Sequence, residues 1–242
     1  AIEGVAPKCI GEVVFNTAMS GYHEVLTDPS YMGQLVAMTY PHMGNYGCDP
    51  AWSEVGPGAG DSSGAAEEVD AEGRLRHAGV TPAGFIVRSL YQGPVPDGRE
   101  TLHEFLYENE TPGITGIDTR ALTLHLRDEG SRNGVLVRPA EGDGLSDVEL
   151  ARVRSVLAAF PQMEGRDLIG EVGSRETLVV NEGGSPHIGL LDCGSKANII
   201  RRLVGLGCRI TLLPSAADDA MVGAAGVDAL FISNGPGDPG VL

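Results

Sequence analysis

Cysteine, histidine and glutamate are the side chains that could act here as a nucleophile or as metal ligands. Cys193 follows an apolar run, where a nucleophile could stand at the end of a strand, but the sequence places no histidine or acid to activate it. His23, Glu24 and His42 match no metal-ligand spacing. The sequence therefore favours a core role for Cys193 and predicts no metal site.

Two glycine-rich turns could bring backbone N–H groups to a ligand. Gly194-Ser195-Lys196 resembles part of a phosphate loop, but the frames G-x-x-x-x-G-K-[ST] and G-x-G-x-x-G are both missing. The second turn is Asn234–Pro239 (NGPGDP), called the glycine loop below. Gly235 and Gly237 allow positive φ and close backbone approach, so this loop is the stronger candidate for ligand binding. A plain turn is the alternative.

The elements around the glycine loop predict a parallel α/β sheet. From residue 187 the pattern runs strand, helix, strand, helix, strand, which is typical of parallel strands with right-handed crossovers. The third strand, 227–233, leads into the glycine loop, and ligands bind beyond the carboxyl ends of such strands. Residues 161–186, rich in Gly, Glu and Ser, are interpreted as a linker and are called the connector below.

A polar turn also lies between two predicted strands, Glu12–Ala18 and Gln34–Tyr40. In this turn Pro29 fixes φ, while Asp28 and Ser30 can bond to nearby backbone groups. Polar side chains gathered on a loop of a rigid scaffold favour a binding role, and a well-capped turn is the alternative.

Three further predictions concern local structure in the first 160 residues. Asp118 is predicted to cap the N-terminus of a helix, and Asn133-Gly134 to form a tight turn. The Gly-, Ala- and acid-rich tract 53–73 is predicted to be an exposed, mobile loop, because it has little apolar surface to bury.

Composition excludes several classes of partner. The chain has 242 residues, of which 35 are glycines and 42% are hydrophobic, as is typical of a globular protein. Its formal charge of −16 argues against binding to nucleic acid or to an anionic membrane surface, because both need a basic surface. No apolar run is long enough to span a bilayer, and no signal peptide is visible. The four cysteines have no paired spacing. We therefore expect a cytoplasmic protein.

Four blocks of the sequence together resemble one known family, the small, glutamine-hydrolysing subunit of carbamoyl-phosphate synthase. The first two blocks are not shared with other glutamine amidotransferases, whereas the last is shared among the class I amidotransferases. In chain order the blocks are 11–47 (GEVVFNTAMSGYHEVLTDPSYMGQLVAMTYPHMGNYG), 116–134 (GIDTRALTLHLRDEGSRNG), 190–208 (LLDCGSKANIIRRLVGLGC) and 231–239 (FISNGPGDP).

The resemblance implies an α/β protein with an N-terminal small-subunit domain over 1–160, a linker over 161–186 and the first part of a class I glutamine amidotransferase domain, an open parallel sheet, over 187–242. It implies that a cysteine on a strand-to-helix elbow attacks the side-chain amide of L-glutamine, with a histidine and a glutamate completing the triad. The ammonia would pass through a tunnel to the large subunit. There the ammonia would react with bicarbonate, with ATP and Mg, to form carbamoyl phosphate for arginine and pyrimidine synthesis. The resemblance implies that the two subunits form a heterodimer and that the small subunit has no cofactor of its own.

Carried over position by position, the glutamine-binding residues of that family are Ser30, Gly235 and Gly237. We expect Ser30, in the N-terminal domain, to face the glycine loop across a domain interface. The family's catalytic cysteine, histidine and glutamate follow the glycine loop and are expected beyond Leu242. The resemblance thus implies a subunit truncated at both ends, its first strand missing or cut short, and inactive as a glutaminase on its own. Cys193 does not correspond to the nucleophile.

Two alternatives stay open at this point. One is an amidotransferase subunit that serves another synthase, against which the blocks 11–47 and 116–134 argue. The other, from a different functional class, is a non-catalytic α/β binding or scaffold module.

Overall fold

In a computed structural model of the protein, the residues described are 9–56, 79–140, 142 and 144–241. They belong to two compact units, each assembled from separate stretches of the chain. The first unit takes in 9–26, 33–49 and 80–164, and the second takes in 27–32, 50–56, 79 and 165–241. The prediction of a shortened first strand concerns residues 1–8, which lie outside the described residues, as do residues 57–73 of the tract predicted to be exposed and mobile. Within the described part of that tract, Ser53, Glu54 and Gly56 are buried, so the prediction of an exposed loop is wrong there.

The first unit is built on a five-stranded sheet and a separate two-stranded one. Its described strands are β1 (Ile10–Asn16), β2 (Gln34–Met38), β3 (His42–Met43), β4 (Gly84–Ile86), β5 (Ser89–Leu90), β6 (Gly113–Ile114) and β7 (Arg132–Val135), and its described helices are α1 (Tyr22–Thr27), α2 (Leu102–Glu108), α3 (Thr119–Glu129) and α4 (Asp147–Ala159). The large sheet has the order β6-β4-β2-β1-β7, with β7 antiparallel to β1 and the other pairs parallel.

Side-chain caps explain where three of these helices begin. The Asp118 carboxylate accepts the Ala121 N–H of α3 at 3.0 Å, which confirms the predicted N-cap. Thr101 caps α2 and Ser146 caps α4, each in a capping box with the glutamate three residues later. The core of this unit lies between the sheet and α3, where Leu35 and Ala37 are fully buried.

The prediction of a tight turn at Asn133-Gly134 is wrong. Both residues lie inside strand β7, where Gly134 pairs with Gly11 and Asn133 with Glu12. The Asn133 side chain donates to the Phe160 and Pro161 carbonyl oxygens, at 3.3 and 3.1 Å, instead of closing a turn. A dipeptide signal for a turn is local, and the antiparallel pairing with β1, about 120 residues away, overrides it.

The second unit contains the predicted parallel α/β sheet. Its described elements are β8 (Leu178–Val180), β9 (His187–Asp192), α5 (Ala197–Gly205), β10 (Arg209–Pro214), α6 (Asp219–Ala224) and β11 (Ala229–Ile232). The sheet order is β11-β9-β10-β8, and β9, β10 and β11 are mutually parallel. Strand β8 is antiparallel and lies within the connector, so the connector is part of this fold and does more than link.

The core of the second unit packs helix α5 against the sheet. Leu190, Ile210 and Leu212 on neighbouring strands are completely buried, and Ile200 of α5 lies against them. This core fixes the carboxyl ends of β9 and β11, from which the two glycine-rich turns leave.

Candidate functional site

Ser30 lies on a short, tightly held turn of the second unit. Asp28 caps the single 3-10 turn Pro29–Tyr31, and its Oδ1 accepts the Ser30 N–H at 3.0 Å. The other carboxylate oxygen of Asp28 lies 2.7 Å from Lys196 Nζ, next to the start of α5. Burial would lower the pKa of Lys196, but the hydrogen bond to Asp28 and the Asp28 and Glu54 charges outweigh it, so that pKa is raised.

The Ser30 hydroxyl is in direct contact with the glycine loop. Asn234 Nδ2 donates to Ser30 Oγ at 2.8 Å, and it also lies 3.3 Å from the Gly194 carbonyl oxygen. Ser30 and Asn234 both belong to the second unit. The expectation that Ser30 meets the glycine loop across a domain interface is therefore wrong. A reading of the sequence groups residues by their place in the chain, whereas the contacts of Asp28 and Ser30 bring residues 27–32 to the second unit.

A second early segment, 53–54, holds the first turn of α5. Glu54 Oε2 accepts the Asn198 N–H at 2.9 Å, and the Glu54 N–H donates to Thr27 Oγ1 at 2.9 Å. Burial raises the pKa of Glu54, against the opposing influence of the Asn198 N–H and the Arg201 charge. The contacts of Asp28 with Lys196 and of Glu54 with Asn198 thus hold the turn that carries Ser30 against the start of α5.

Asp192 organises the turn between β9 and α5. Its carboxylate is buried and accepts four hydrogen bonds, from Ser174 N at 2.9 Å, Ser174 Oγ at 2.6 Å, Gly194 N at 3.0 Å and Ser195 N at 2.8 Å. Because the Gly194 and Ser195 N–H groups are already engaged, this turn does not offer them to a phosphate. The turn instead presents the Gly194 carbonyl oxygen to Asn234.

The glycine loop is seated on the connector. The Asp238 N–H donates to the Arg166 carbonyl at 3.0 Å, and Asp238 Oδ2 accepts the Gly165 N–H at 2.9 Å. A Cβ on Gly237, which has φ of +81°, would lie 2.5 Å from the Arg166 carbonyl oxygen, and a Cβ on Gly235 would collide with the Cys193 carbonyl oxygen. Within the described part of the chain, the N–H groups of both glycines donate to no acceptor.

Cys193 lies beside this loop but is not an activated nucleophile. Its side chain is 4% exposed, and burial, together with the nearby Asp192 charge, raises the pKa of the thiol. Its N–H donates to Ser233 Oγ at 2.9 Å, so the residue serves as part of the junction between β9 and the loop. This arrangement agrees with the core role that the sequence favours.

The histidines singled out from the sequence do not form a metal site with Glu24. His23 is fully buried and stacks on Phe105 with ring centroids 4.6 Å apart, and burial lowers its pKa to about 4. His42 is exposed beside Tyr91. Among the described residues no group of three or more His, Cys, Asp or Glu side chains is arranged to hold a metal ion.

The second unit is a mainly parallel α/β sheet with a glycine loop beyond the end of a strand, and comparison with known families identifies its class. Residues 189–242 match the family described as glutamine amidotransferase class-I. Residues 2–136 match the carbamoyl-phosphate synthase small chain, CPSase domain. The second match covers more than half of the chain, and the chain belongs to the carbamoyl-phosphate synthase small chain family.

Curated relatives point the same way. The chain is 41% identical over 231 residues to the carbamoyl phosphate synthase small chain of Methanopyrus kandleri, covering 95% of this chain and 56% of that protein. It is 39% identical over 253 residues to that of Neisseria gonorrhoeae, covering 98% and 59%. For Pseudomonas aeruginosa the identity is 38% over 256 residues, covering 98% and 60%. The chain therefore spans a little over half the length of these relatives.

Sequence reasoning missed the side chains that hold the candidate site together. Asn234, Asp192 and Lys196 each stand at the end of a predicted strand or the start of a helix, which is the signal that could have drawn attention to them. Their partners, however, are side chains or backbone groups elsewhere in the chain, and no local pattern identifies those.

Proposed function

We propose that the whole protein is the glutamine-hydrolysing small subunit of a carbamoyl-phosphate synthase. The observation that carries this proposal is the contact between Ser30 and the glycine loop, in a chain that belongs to the small chain family. Family membership also argues against an amidotransferase subunit of another synthase and against a scaffold module.

Ser30, Gly235 and Gly237 are the residues that we propose bind L-glutamine. Ser30 is partly exposed, and the two glycine N–H groups have no acceptor among the described residues, so all three can engage a polar ligand. The nucleophile is not Cys193, because that thiol is buried and its pKa is raised. The catalytic cysteine, histidine and glutamate are those that follow the glycine loop in the family.

The partner in this proposal is the large subunit, which receives ammonia and uses ATP, bicarbonate and Mg to form carbamoyl phosphate. This subunit then needs no cofactor of its own, and it binds neither nucleic acid nor a membrane. None of the described helices is long and apolar enough to cross a bilayer. We place the assembly in the cytoplasm, where it would serve arginine and pyrimidine synthesis.

Reconstitution tests this function. The full-length protein would be purified with its large subunit, and carbamoyl phosphate formation would be measured with glutamine and, separately, with ammonia as the nitrogen source. We expect synthesis from both, with one glutamate released per carbamoyl phosphate made from glutamine. Synthesis from ammonia alone would favour the scaffold alternative, and glutaminase activity without carbamoyl phosphate would favour another synthase.

A further inference from the structure

The orientation of the Asn234 side-chain amide is set by a backbone carbonyl. Its Nδ2 lies 3.3 Å from the Gly194 carbonyl oxygen and 2.8 Å from Ser30 Oγ. A carbonyl oxygen can only accept, so the nitrogen end of the amide must face it. The other end, Oδ1, is buried and has no hydrogen-bond partner among the described residues, so it is the nitrogen contacts that hold the side chain in place.

This orientation decides what the Ser30 hydroxyl can do. A serine hydroxyl has one hydrogen to donate and two lone pairs that accept. Asn234 occupies one lone pair, and the Ser30 N–H is already bonded to Asp28. Within the described part of the chain the hydroxyl donates to no acceptor. Its hydrogen is therefore left for a ligand.

We propose that Asn234 is a positioning residue, which acts through Ser30 by making its hydroxyl a hydrogen-bond donor to the substrate. The inference rests on the proposed function, because the substrate is the glutamine of that function. Ser30 then recognises an acceptor oxygen of the amino acid.

The Asn234→Asp substitution tests this arrangement almost without changing the shape of the side chain. A carboxylate accepts only, so it would take up the Ser30 hydrogen and would repel the Gly194 carbonyl oxygen. In the full-length protein bound to its large subunit, we expect the KM for glutamine to rise about tenfold, as for a lost hydrogen bond to substrate, while kcat stays within about twofold. Ammonia-dependent synthesis should not change.

Lowering the pH provides an internal rescue. A protonated carboxyl group has one O–H to donate, so it can again face the Gly194 carbonyl oxygen or Ser30. The ratio of the variant's KM to that of the wild type should therefore fall as the pH is lowered. A purely structural defect would not be repaired in this way.

A double-mutant cycle with Ser30→Ala shows whether Asn234 acts through Ser30. With Ser30→Ala already present, Asn234→Asp should change the KM by less than about twofold, because the group it controls is gone. An unchanged KM in the single variant, an undiminished effect in the double variant, or a parallel loss of ammonia-dependent synthesis would each overturn the inference. A wild-type complex that uses ammonia but not glutamine would instead overturn the proposed function.

Discussion

The two units treat their buried polar groups in opposite ways. In the first unit, burial keeps such groups neutral: it raises the pKa of Tyr22 and of the Cys48 thiol and lowers that of His23 to about 4. In the second unit, the buried carboxylates of Asp28 and Asp192 are held by N–H groups, a hydroxyl and a lysine. Buried titratable groups therefore stay in their neutral forms in the first unit, whereas in the second unit hydrogen-bonded carboxylates position loops, and the candidate site lies in the second.

The largest predicted loss of stability comes from removing the Asp192 carboxylate, which should destabilise the second unit. Asp192→Ala removes the acceptor of four hydrogen bonds whose donors lie on buried residues, and we expect it to lower the free energy of unfolding of this unit by about 3–5 kcal/mol. The single tryptophan, Trp52, belongs to this unit, so its fluorescence in urea reports the unfolding. The exposed Asp219→Ala, in the same unit, is the matched control and should leave the unfolding midpoint almost unchanged.

The first unit should instead show a pH effect from His23. The pKa of His23 is about 6.5 in the unfolded chain and about 4 in the folded chain. Between pH 6.5 and pH 4, therefore, His23 is protonated in the unfolded chain but stays neutral in the folded chain. This group should therefore remove about 3 kcal/mol of stability as the pH falls across that window. Below it, both states are protonated and no further loss follows.

The His23→Leu variant isolates this contribution from that of the carboxyl groups. Its stability should fall less than that of the wild type between pH 6.5 and 4, whatever its absolute value. Amide hydrogen exchange in β2, which lies in the first unit, provides the measurement. Parallel losses in the two proteins would show that His23 is not held neutral by burial.

Gly237→Val should affect glutamine use more than folding. The side chain would meet the Arg166 carbonyl oxygen in a backbone conformation that valine disfavours, so the glycine loop must shift on the connector. We expect kcat/KM for glutamine to fall about tenfold or more, given a strain of about 1–3 kcal/mol, with ammonia-dependent synthesis preserved. Gly226→Val, which also requires a positive φ (+61°) but faces open space, is the control. Equal loss of both activities in Gly237→Val would mean misfolding.

The smallest expected effect is that of Cys193→Ser. Because the thiol is buried and its pKa is raised, glutamine hydrolysis by the complete complex should stay within about twofold of the wild type. Glutamate release that the substitution abolishes would show that Cys193 is a nucleophile after all.

Features that depend on a few neighbouring residues were predictable from the sequence, whereas features that depend on contacts between residues far apart in the chain were not. The N-cap at Asp118 was predictable because a cap needs only the next helical turn. The strand at Asn133-Gly134 and the strand β8 in the connector depend on partners that a local pattern does not contain. In the candidate site, the residue pattern indicated Ser30 and the two glycines and the resemblance gave them a role in binding glutamine, while the contact of Asn234 with Ser30 depends on the fold.

The second unit combines early and late stretches of the chain, which affects the order of its folding during translation. Ser30 and Asn234 are separated by 204 residues, and at about 5–20 residues per second the serine leaves the ribosome roughly 10–40 s before its partner. The turn that carries Ser30 lies in the crossover between β1 and β2, which can pair far sooner. The contact between Ser30 and Asn234 can therefore form only after translation has delivered the glycine loop.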